Sequence, residues 1–263
     1  MMGLRPFIVV CFVLLVGGLA YGAPLDDGGS ARVIDIIDGD TVLLDTEFEG
    51  SNEVRLVGIQ APKLPLGRKG FKPWPLADES KARLESLVLG QEVALKFGGR
   101  RMDRHGRLLA HLYLPGGEWV QGAMLAAGMA RVYSFPDNRA VVAEMLEKEK
   151  QARGRNLGIW DHPYFHLRAP ESVKELIGTF QLIEGVVFDA ATVRQRTYLN
   201  FADDWRTDFT ISLNKQARRL FTDAGIDPLI LKGKRIRVRG WLKKRNGPMI
   251  EATHPEQIEI LTD

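Results

Sequence analysis

Residues 33–59 contain three short apolar-rich runs, at 33–37, 41–44 and 53–59, separated by turn residues. The first turn is Asp38-Gly39, and Asp-Gly between such runs is a strong hairpin signal. Two more runs of this type follow at 91–97 and 108–114, while 77–89, 119–127 and 138–152 have helical spacing. Five short strands with interspersed helices predict a small closed barrel.

A second strand-rich unit follows a Pro- and His-rich stretch at residues 160–166, which marks a domain boundary. Its order is three strands, a helix at 215–224, and two or three further strands, as a five-stranded OB-type barrel requires. The predicted class is therefore α+β, mainly β, with two barrels. We expect a first domain at 31–160, a linker at 161–176 and a smaller domain at 177–263.

The N-terminal residues are typical of a secretory signal. Arg5 precedes an uncharged apolar run, and mostly small residues follow at 20–23. We expect a signal peptide at 1–22, a linker at 23–30, and export to the periplasm or the exterior. An uncleaved anchor is the alternative, because residues 6–23 carry no charge over a length at the lower limit for a membrane span. After cleavage, no stable membrane span would remain.

The only cysteine, Cys11, lies within that apolar run. A mature chain without it has no thiol, which excludes disulfides, thiolate metal sites and a cysteine nucleophile. Global charge excludes little, because 36 basic residues stand against 33 acidic ones.

Four motifs occur in order along the first unit. They are Asp38-Gly39-Asp40-Thr41, the stretch from Arg55 to Pro62, Asp103-Arg104-His105-Gly106-Arg107, and the stretch from Gly154 to Trp160. In this order the set resembles the staphylococcal nuclease (thermonuclease) family over about residues 31–160. The resemblance implies hydrolysis of phosphodiesters with one Ca²⁺, held by two carboxylates, with a Glu as general base and two Arg that stabilise the phosphate.

Carried over residue by residue, the resemblance makes Asp40 a metal ligand, and Arg55 and Arg107 the phosphate arginines. Gln60 stands where the family has its second metal carboxylate, and Lys63 where it has the general base. A hard cation needs several oxygen ligands, and a charged lysine can neither attract it nor accept a proton. We therefore expect activity by the family mechanism to be crippled and Ca²⁺ binding to be doubtful, with no other cofactor.

Two groups of basic residues are candidate contacts for nucleic acid or another polyanion. One loop contains Lys63, Arg68, Lys69 and Lys72. The alternative is that this loop is mobile and solvated and has no binding role. Arg235, Arg237 and Arg239 alternate with apolar residues, so they share one face of a predicted strand. A solvated strand face is the alternative there.

Three functions remain open at this point. The preferred hypothesis is an exported protein with a degenerate nuclease site that binds nucleic acid or another phosphate-rich polymer. The second is an active metal-dependent phosphodiesterase with an altered metal site. The third is an envelope scaffold for protein contacts. The oligomeric state is not encoded in any pattern of the sequence.

Overall fold

A computed structural model describes residues 24–261. The predicted signal peptide lies outside the described residues. Within 24–261, no helix combines the length and the apolar composition needed to cross a bilayer.

The first unit is built on a closed barrel with the strand order β1-β2-β3-β6-β5. Antiparallel pairing joins β1 to β2 and to β5, whereas β3 and β6 are parallel. These are the pairings of an OB-type barrel, so the predicted fold is confirmed. Its strands are β1 Asp26–Asp38, β2 Thr41–Phe48, β3 Ser51–Leu56, β4 Gly58–Gln60, β5 Glu92–Phe97, β6 Leu108–Tyr113 and β7 Arg131–Tyr133.

Three helices pack on this barrel: α1 Ala77–Val88, α2 Val120–Ala126 and α3 Val142–Gly154. Helix α1 has Asp78 and Glu79 in its first turn, where carboxylates favour the helix dipole, and it stops before Gly90, which has a φ of 74°. Helix α3 begins later than residue 138, because Asn138 closes a turn onto the carbonyl of Phe135.

Two short pairings in this unit have no clear sequence signal. Strand β4 pairs with β7, outside the barrel. Strand β1 starts at Asp26, so part of the predicted linker at 23–30 is a strand paired with β5. The register shifts between Asp27 and Ser30, which the Gly28-Gly29 pair allows because a Cβ at Gly28 would collide with the ring of Phe97.

The second unit is a seven-stranded sheet. Pairing runs from β9 through β10, β11 and β13 to β12, and from β12 to β8. The path thus begins at β9 and ends at β8. Only Val187 and Phe188 separate these two strands in the chain, so both ends of the path belong to one segment, as in an OB-type barrel. The elements are β8 Phe180–Val186, β9 Asp189–Val193, β10 Arg196–Asn200, β11 Thr210–Leu213, α4 Lys215–Asp223, β12 Arg235–Arg245, β13 Gly247–Ala252 and β14 Ile258–Ile260.

Each unit has its own buried apolar cluster, and a third cluster lies between them. This third cluster contains Ile159, Trp160 and Phe165 from the end of the first unit, and Phe180 and Leu182 from β8. The predicted linker at 161–176 is packed rather than extended, since Val173 in it is fully buried in the second cluster. The two units therefore share a continuous interface.

Candidate nucleic-acid site

The turn between β1 and β2 places two carboxylates in the interior. Asp38 accepts the backbone N–H of Asp40 at 3.1 Å, the turn role expected for it. Gly39 between them packs against Ser80 of α1 and Ala61 so closely that a Cβ would clash. As a result Asp38 is 3% exposed and Asp40 is fully buried.

Lys63 forms the charge partner of both carboxylates. Its Nζ lies 2.7 Å from each carboxylate oxygen of Asp40 and 3.2 Å from Oδ2 of Asp38. Three carboxylate oxygens thus converge on one ammonium nitrogen. The lysine sits where a cation would have to sit in order to use Asp40 as a ligand.

Asp40 has further partners inside the protein. The backbone N–H of Ala61 donates to its Oδ2 at 2.8 Å, and a guanidinium nitrogen of Arg55 lies 3.1 Å from the same oxygen. Burial would raise the pKa of Asp40, but the charges of Arg55 and Lys63 outweigh it and hold that pKa well below its usual range. Asp40 is therefore an internal carboxylate whose charge is fully compensated.

Asp38 shows the opposite shift. Burial raises the pKa of Asp38, the adjacent charge of Asp40 raises it further, and Lys63 and Arg55 only partly oppose the increase. Lys63 is thus shared by two buried carboxyl groups whose pKa values shift in opposite directions.

Gln60 is turned away from this cluster. It is 6% exposed, and its Oε1 accepts hydrogen bonds from Nε and a terminal nitrogen of Arg131 at 3.0 and 2.7 Å. Arg131 also donates to the carbonyl of Phe180, in the second unit, at 3.2 Å. Burial lowers the pKa of Arg131 to about 10. The side chain at the expected second metal position is thus committed to the contact between the two units.

Arg107 lies at the surface, just before β6. Its Nε donates to Asp103 at 2.8 Å, and its second terminal nitrogen lies 2.7 Å from the same carboxylate oxygen, while its first terminal nitrogen approaches Glu53 only at 3.8 Å. Burial would raise the pKa of Asp103, but hydrogen bonds from the backbone and side chain of Arg107 lower it. With 27% of its side chain exposed, against 11% for Arg55, Arg107 is the more accessible of the two expected phosphate arginines.

Both arginines line an open cleft of about 390 Å³, which we call the main cleft. Arg100, Arg104 and His105 add positive or titratable groups, and Tyr133 and Phe135 form an aromatic side. Phe135 is 44% exposed. Asp40, Gln60 and Lys63 are not among the lining residues. Sequence reasoning selected neither Arg100 nor Phe135, because they reach the cleft from the segments after β5 and β7 and no local motif marks them.

The remaining predicted loop contacts lie outside the main cleft. Arg68 is exposed, stacks on Phe71 with its guanidinium 3.8 Å from the ring centre, and donates to the carbonyl of Pro65. Lys69 and Lys72 are exposed and form no ion pair within residues 24–261. Lys63 differs from these three, because its ammonium is bound by Asp38 and Asp40 rather than presented to solvent.

The expected positive face of β12 needs correction. Arg235 and Arg237 both pair with Glu184, at 2.7 and 2.6 Å, and Arg237 also pairs with Glu259. Arg239 is 1% exposed. Neighbouring strands β8 and β14 supply the glutamates, so this face is neutralised, and Arg239 is not accessible to nucleic acid.

Arg239 instead joins the two units. Its terminal nitrogens lie 2.9 Å from both oxygens of Glu149 in α3, and 2.6 Å from Glu259 in β14. Glu149 is fully buried and also accepts the backbone N–H of Val132 at 2.6 Å and Arg153 at 2.8 Å. Ser134 and His254 form a further buried contact across the interface, at 2.7 Å.

Comparison with known proteins places the first unit among nuclease-like sequences. The family model described as staphylococcal nuclease homologue matches residues 53–162. The chain is similar to a thermonuclease of Staphylococcus intermedius, 29% identical over 134 residues, which span 51% of this chain and 77% of the relative.

Two further relatives share a higher percentage of identical residues with this chain. A micrococcal nuclease of Shigella flexneri is 32% identical over 140 residues, covering 50% of this chain and 74% of the relative. An uncharacterized endonuclease of Escherichia coli O157:H7 is 34% identical over 129 residues, covering 49% and 75%. The family model's match ends before β8, so the second unit lies outside the matched range.

Proposed function

This chain belongs to the staphylococcal nuclease family, and we propose that it is an exported member that binds nucleic acid without cutting it by a metal-assisted route. Export is proposed from the signal-like N-terminal residues. The loss of the metal route rests on one observation, the Lys63 ammonium 2.7 Å from both carboxylate oxygens of Asp40.

The donor set does not fit Ca²⁺, the ion that the family implies. Calcium takes six to eight oxygen ligands, usually with several carboxylates. Here both oxygens of Asp40 are occupied by Lys63, Arg55 and a backbone N–H, and the side-chain oxygen of Gln60 is occupied by Arg131. Within residues 24–261, no group of three or more His, Cys, Asp or Glu side chains is arranged to hold a metal. No step through calcium follows from these residues.

Neither Lys63 nor Asp40 is suited to act as the general base that activates a water. A general base must lie within hydrogen-bond reach of the water and be able to accept its proton. Lys63, at the family's general-base position, is paired with the carboxylates of Asp38 and Asp40. Asp40 is fully buried with a strongly lowered pKa, which makes it a poor proton acceptor.

Phosphate binding, by contrast, is supported by the main cleft. Arg100, Arg104 and Arg107 line it together with Arg55, whose terminal nitrogens already donate to the carbonyls of Leu56 and Ile59, and the carboxylates of Asp103 and Asp137 lie among them. A guanidinium has five N–H donors in a planar fork that suits phosphate oxygens. Because the first terminal nitrogen of Arg107 has only a loose partner in Glu53, it can donate to a phosphate while the other edge stays on Asp103.

The aromatic side of the main cleft favours unpaired bases over other polyanions. Phe135 is exposed and packs edge-to-face on Tyr133, with ring centres 4.8 Å apart. A fixed, exposed ring beside a basic cleft is the usual arrangement for stacking single-stranded nucleic acid.

An active phosphodiesterase is the second candidate. The observation that favours it is the set of relatives named as nucleases, together with the retained Asp40, Arg55 and Arg107. Such an enzyme would have to displace Lys63 from Asp40 and recruit a carboxylate from elsewhere. The two candidates differ in whether bound DNA stays intact.

Binding is tested by fluorescence anisotropy of a labelled single-stranded oligonucleotide in EDTA, over a salt series. We expect log affinity to fall with log salt with a slope of roughly −2 to −3, for three to four phosphate contacts. Arg107→Ala should weaken binding, whereas Arg83→Ala, at an exposed arginine of α1 that does not line the main cleft, should not. Absence of binding at low salt would overturn the proposal.

A further inference from the structure

A second cleft adjoins the main cleft at the boundary between the two units. It has a volume of about 190 Å³, and we call it the interdomain cleft. Tyr133 and Phe135 line both clefts. From the second unit, the lining residues include Trp241 and Lys243 of β12 and Glu251 of β13. The exposed ring of Phe135 therefore stands between a basic cleft in the first unit and a surface of the second.

The end of β12 carries an exposed face beside this cleft. Successive side chains of a strand point to opposite sides, and Leu242 is buried in the core. Trp241, Lys243 and Arg245 therefore share the outer side, over a distance of about 13 Å at the usual strand rise. Trp241 is 39% exposed, and both basic side chains are exposed.

The ring of Trp241 is fixed rather than loose. Its Nε1 donates to the hydroxyl of Tyr133 at 3.0 Å, and its ring meets Phe180 edge-on, with ring centres 6.1 Å apart. Both contacts reach residues that adjoin the interface between the units. Phe135 and Trp241 are thus held through the same residue, Tyr133.

The charges at this end of β12 are only weakly compensated. Lys243 approaches Glu251 at 3.4 Å, in a pair whose lysine side chain is 62% exposed. Lys244 and Arg245 form no ion pair among the described residues. Farther back along β12, Arg235, Arg237 and Arg239 are neutralised by glutamates. The free positive charge of this strand is concentrated at the end next to the interdomain cleft.

We propose that a single strand of nucleic acid continues from the main cleft over Phe135 onto Trp241 and the basic end of β12, so that both units form one binding path. This rests on the proposed function of the main cleft. The chemistry required is an unpaired base that stacks on the exposed ring of Trp241 and phosphates that meet Lys243 and Arg245. A duplex keeps its bases stacked internally and cannot supply the first of these contacts.

Contacts across the interface explain why the second unit can extend the binding path with little loss of entropy. Arg239 is bound by Glu149 and Glu259 in the interior, and Arg139 forms a paired contact with Glu256 at 2.7 to 3.0 Å. These contacts hold the two clefts in a fixed relation before any ligand arrives. Preorganisation of this kind lowers the entropy cost of binding a longer strand.

The test compares single-stranded oligonucleotides of about 5 and about 15 nucleotides, which lie near the lower and upper ends of the site sizes of OB-type domains. Anisotropy is measured in EDTA at one salt concentration. Each affinity is expressed per binding site on the oligonucleotide, so that the longer strand is not favoured merely by offering more sites. We expect the full-length mature chain to bind the longer strand at least tenfold more tightly. Arg245→Glu should remove most of that difference while leaving affinity for the short strand unchanged. Arg83→Glu, the same charge change on α1, should leave both affinities unchanged.

Trp241→Phe provides a second variant that keeps an aromatic ring but loses the hydrogen bond to Tyr133. We expect it to retain more of the long-strand affinity than Trp241→Ala does. A duplex of the longer length should show no loss with Trp241→Ala.

Each possible result supports or overturns the proposed binding path. If the short strand binds but Arg245→Glu acts no differently from Arg83→Glu, the path does not extend onto the second unit and only the main cleft binds. If neither strand binds to the wild-type chain, the proposed function fails together with the extension. Equal weakening of duplex and single strand by Trp241→Ala would also overturn the stacking role.

Discussion

Lys63 and Asp40 form a buried ion pair in which one ammonium nitrogen lies 2.7 Å from both carboxylate oxygens. The pair stands at the position where the family places a metal ion and a base. Under the proposed function, the positive charge that compensates Asp40 is part of the chain, and no bound cation is needed to supply it. The predictions below begin with this pair.

Lys63→Ala should lower the free energy of unfolding by about 2–4 kcal/mol, because it leaves two buried carboxylates with only Arg55 to compensate them. Urea denaturation measures the change. Lys81→Ala is the control, since Lys81 pairs with Glu85 at 3.8 Å on an exposed face and its loss should cost about 0.5 kcal/mol or less. An equal effect of the two substitutions would contradict a stabilising role for the internal pair.

Stability should also depend on pH through Asp40. Its pKa is lower in the folded chain than the usual 3.8, so its stabilisation is complete above that value and is lost as pH falls toward the folded pKa. Asp38, with a raised pKa, opposes this trend in part. Between about pH 5 and pH 2, wild-type stability should therefore fall more steeply than that of Lys63→Ala. Parallel slopes in a denaturation series would be inconsistent with this charge coupling.

Arg239→Met should destabilise the contact between the two units. The substitution leaves Glu149 buried with Arg153 as its remaining charged partner, at an expected cost of about 3–5 kcal/mol. Calorimetry should show a lower unfolding temperature, with the transition broadened or split. Arg196→Met, which removes a half-exposed pair with Glu251, should have a much smaller effect. If the Arg239 variant unfolds at the same temperature and over the same range as the wild-type chain, the buried cluster does not hold the two units together.

Phe135→Ala should weaken binding of single-stranded DNA by roughly 5- to 100-fold, the effect of losing one stacked base. Because the ring is 44% exposed, the unfolding temperature should change little. Leu89→Ala, at an exposed apolar residue after α1, serves as the control for surface truncation. Unchanged affinity in anisotropy would exclude Phe135 from the binding path.

Local patterns predicted the closed barrel of the first unit and the strand-rich second unit, because Asp38-Gly39 and the alternating runs determine strands within a few residues. They also identified Asp40, Arg55 and Arg107, as well as the substitutions Gln60 and Lys63. The partners of these residues were not predictable. The contact of Lys63 with Asp40 spans 23 residues, and Gln60 meets Arg131 across 71. Such pairs depend on how the barrel closes rather than on any local period.

The error at Arg239 has a specific physical cause. Alternation along β12 correctly places the side chains of Arg235, Arg237 and Arg239 on one face, but solvent exposure of that face depends on what covers it. Helix α3 of the first unit supplies Glu149 at this point, and β14 supplies Glu259. A pattern within one strand contains no information about a neighbouring domain. For the same reason, the sequence could not distinguish the accessible charge at Arg245 from the covered charge at Arg239.

The most direct test of the account is hydrolysis of labelled single-stranded DNA by the purified chain lacking the predicted signal peptide at 1–22, in Ca²⁺ and in EDTA, resolved on a denaturing gel. The thermonuclease of Staphylococcus intermedius, run alongside, serves as the positive control. With Lys63 on Asp40, we predict that the DNA remains at full length in both conditions while anisotropy shows that it is bound. Cleavage that requires Ca²⁺ and disappears in Arg107→Ala would contradict the account.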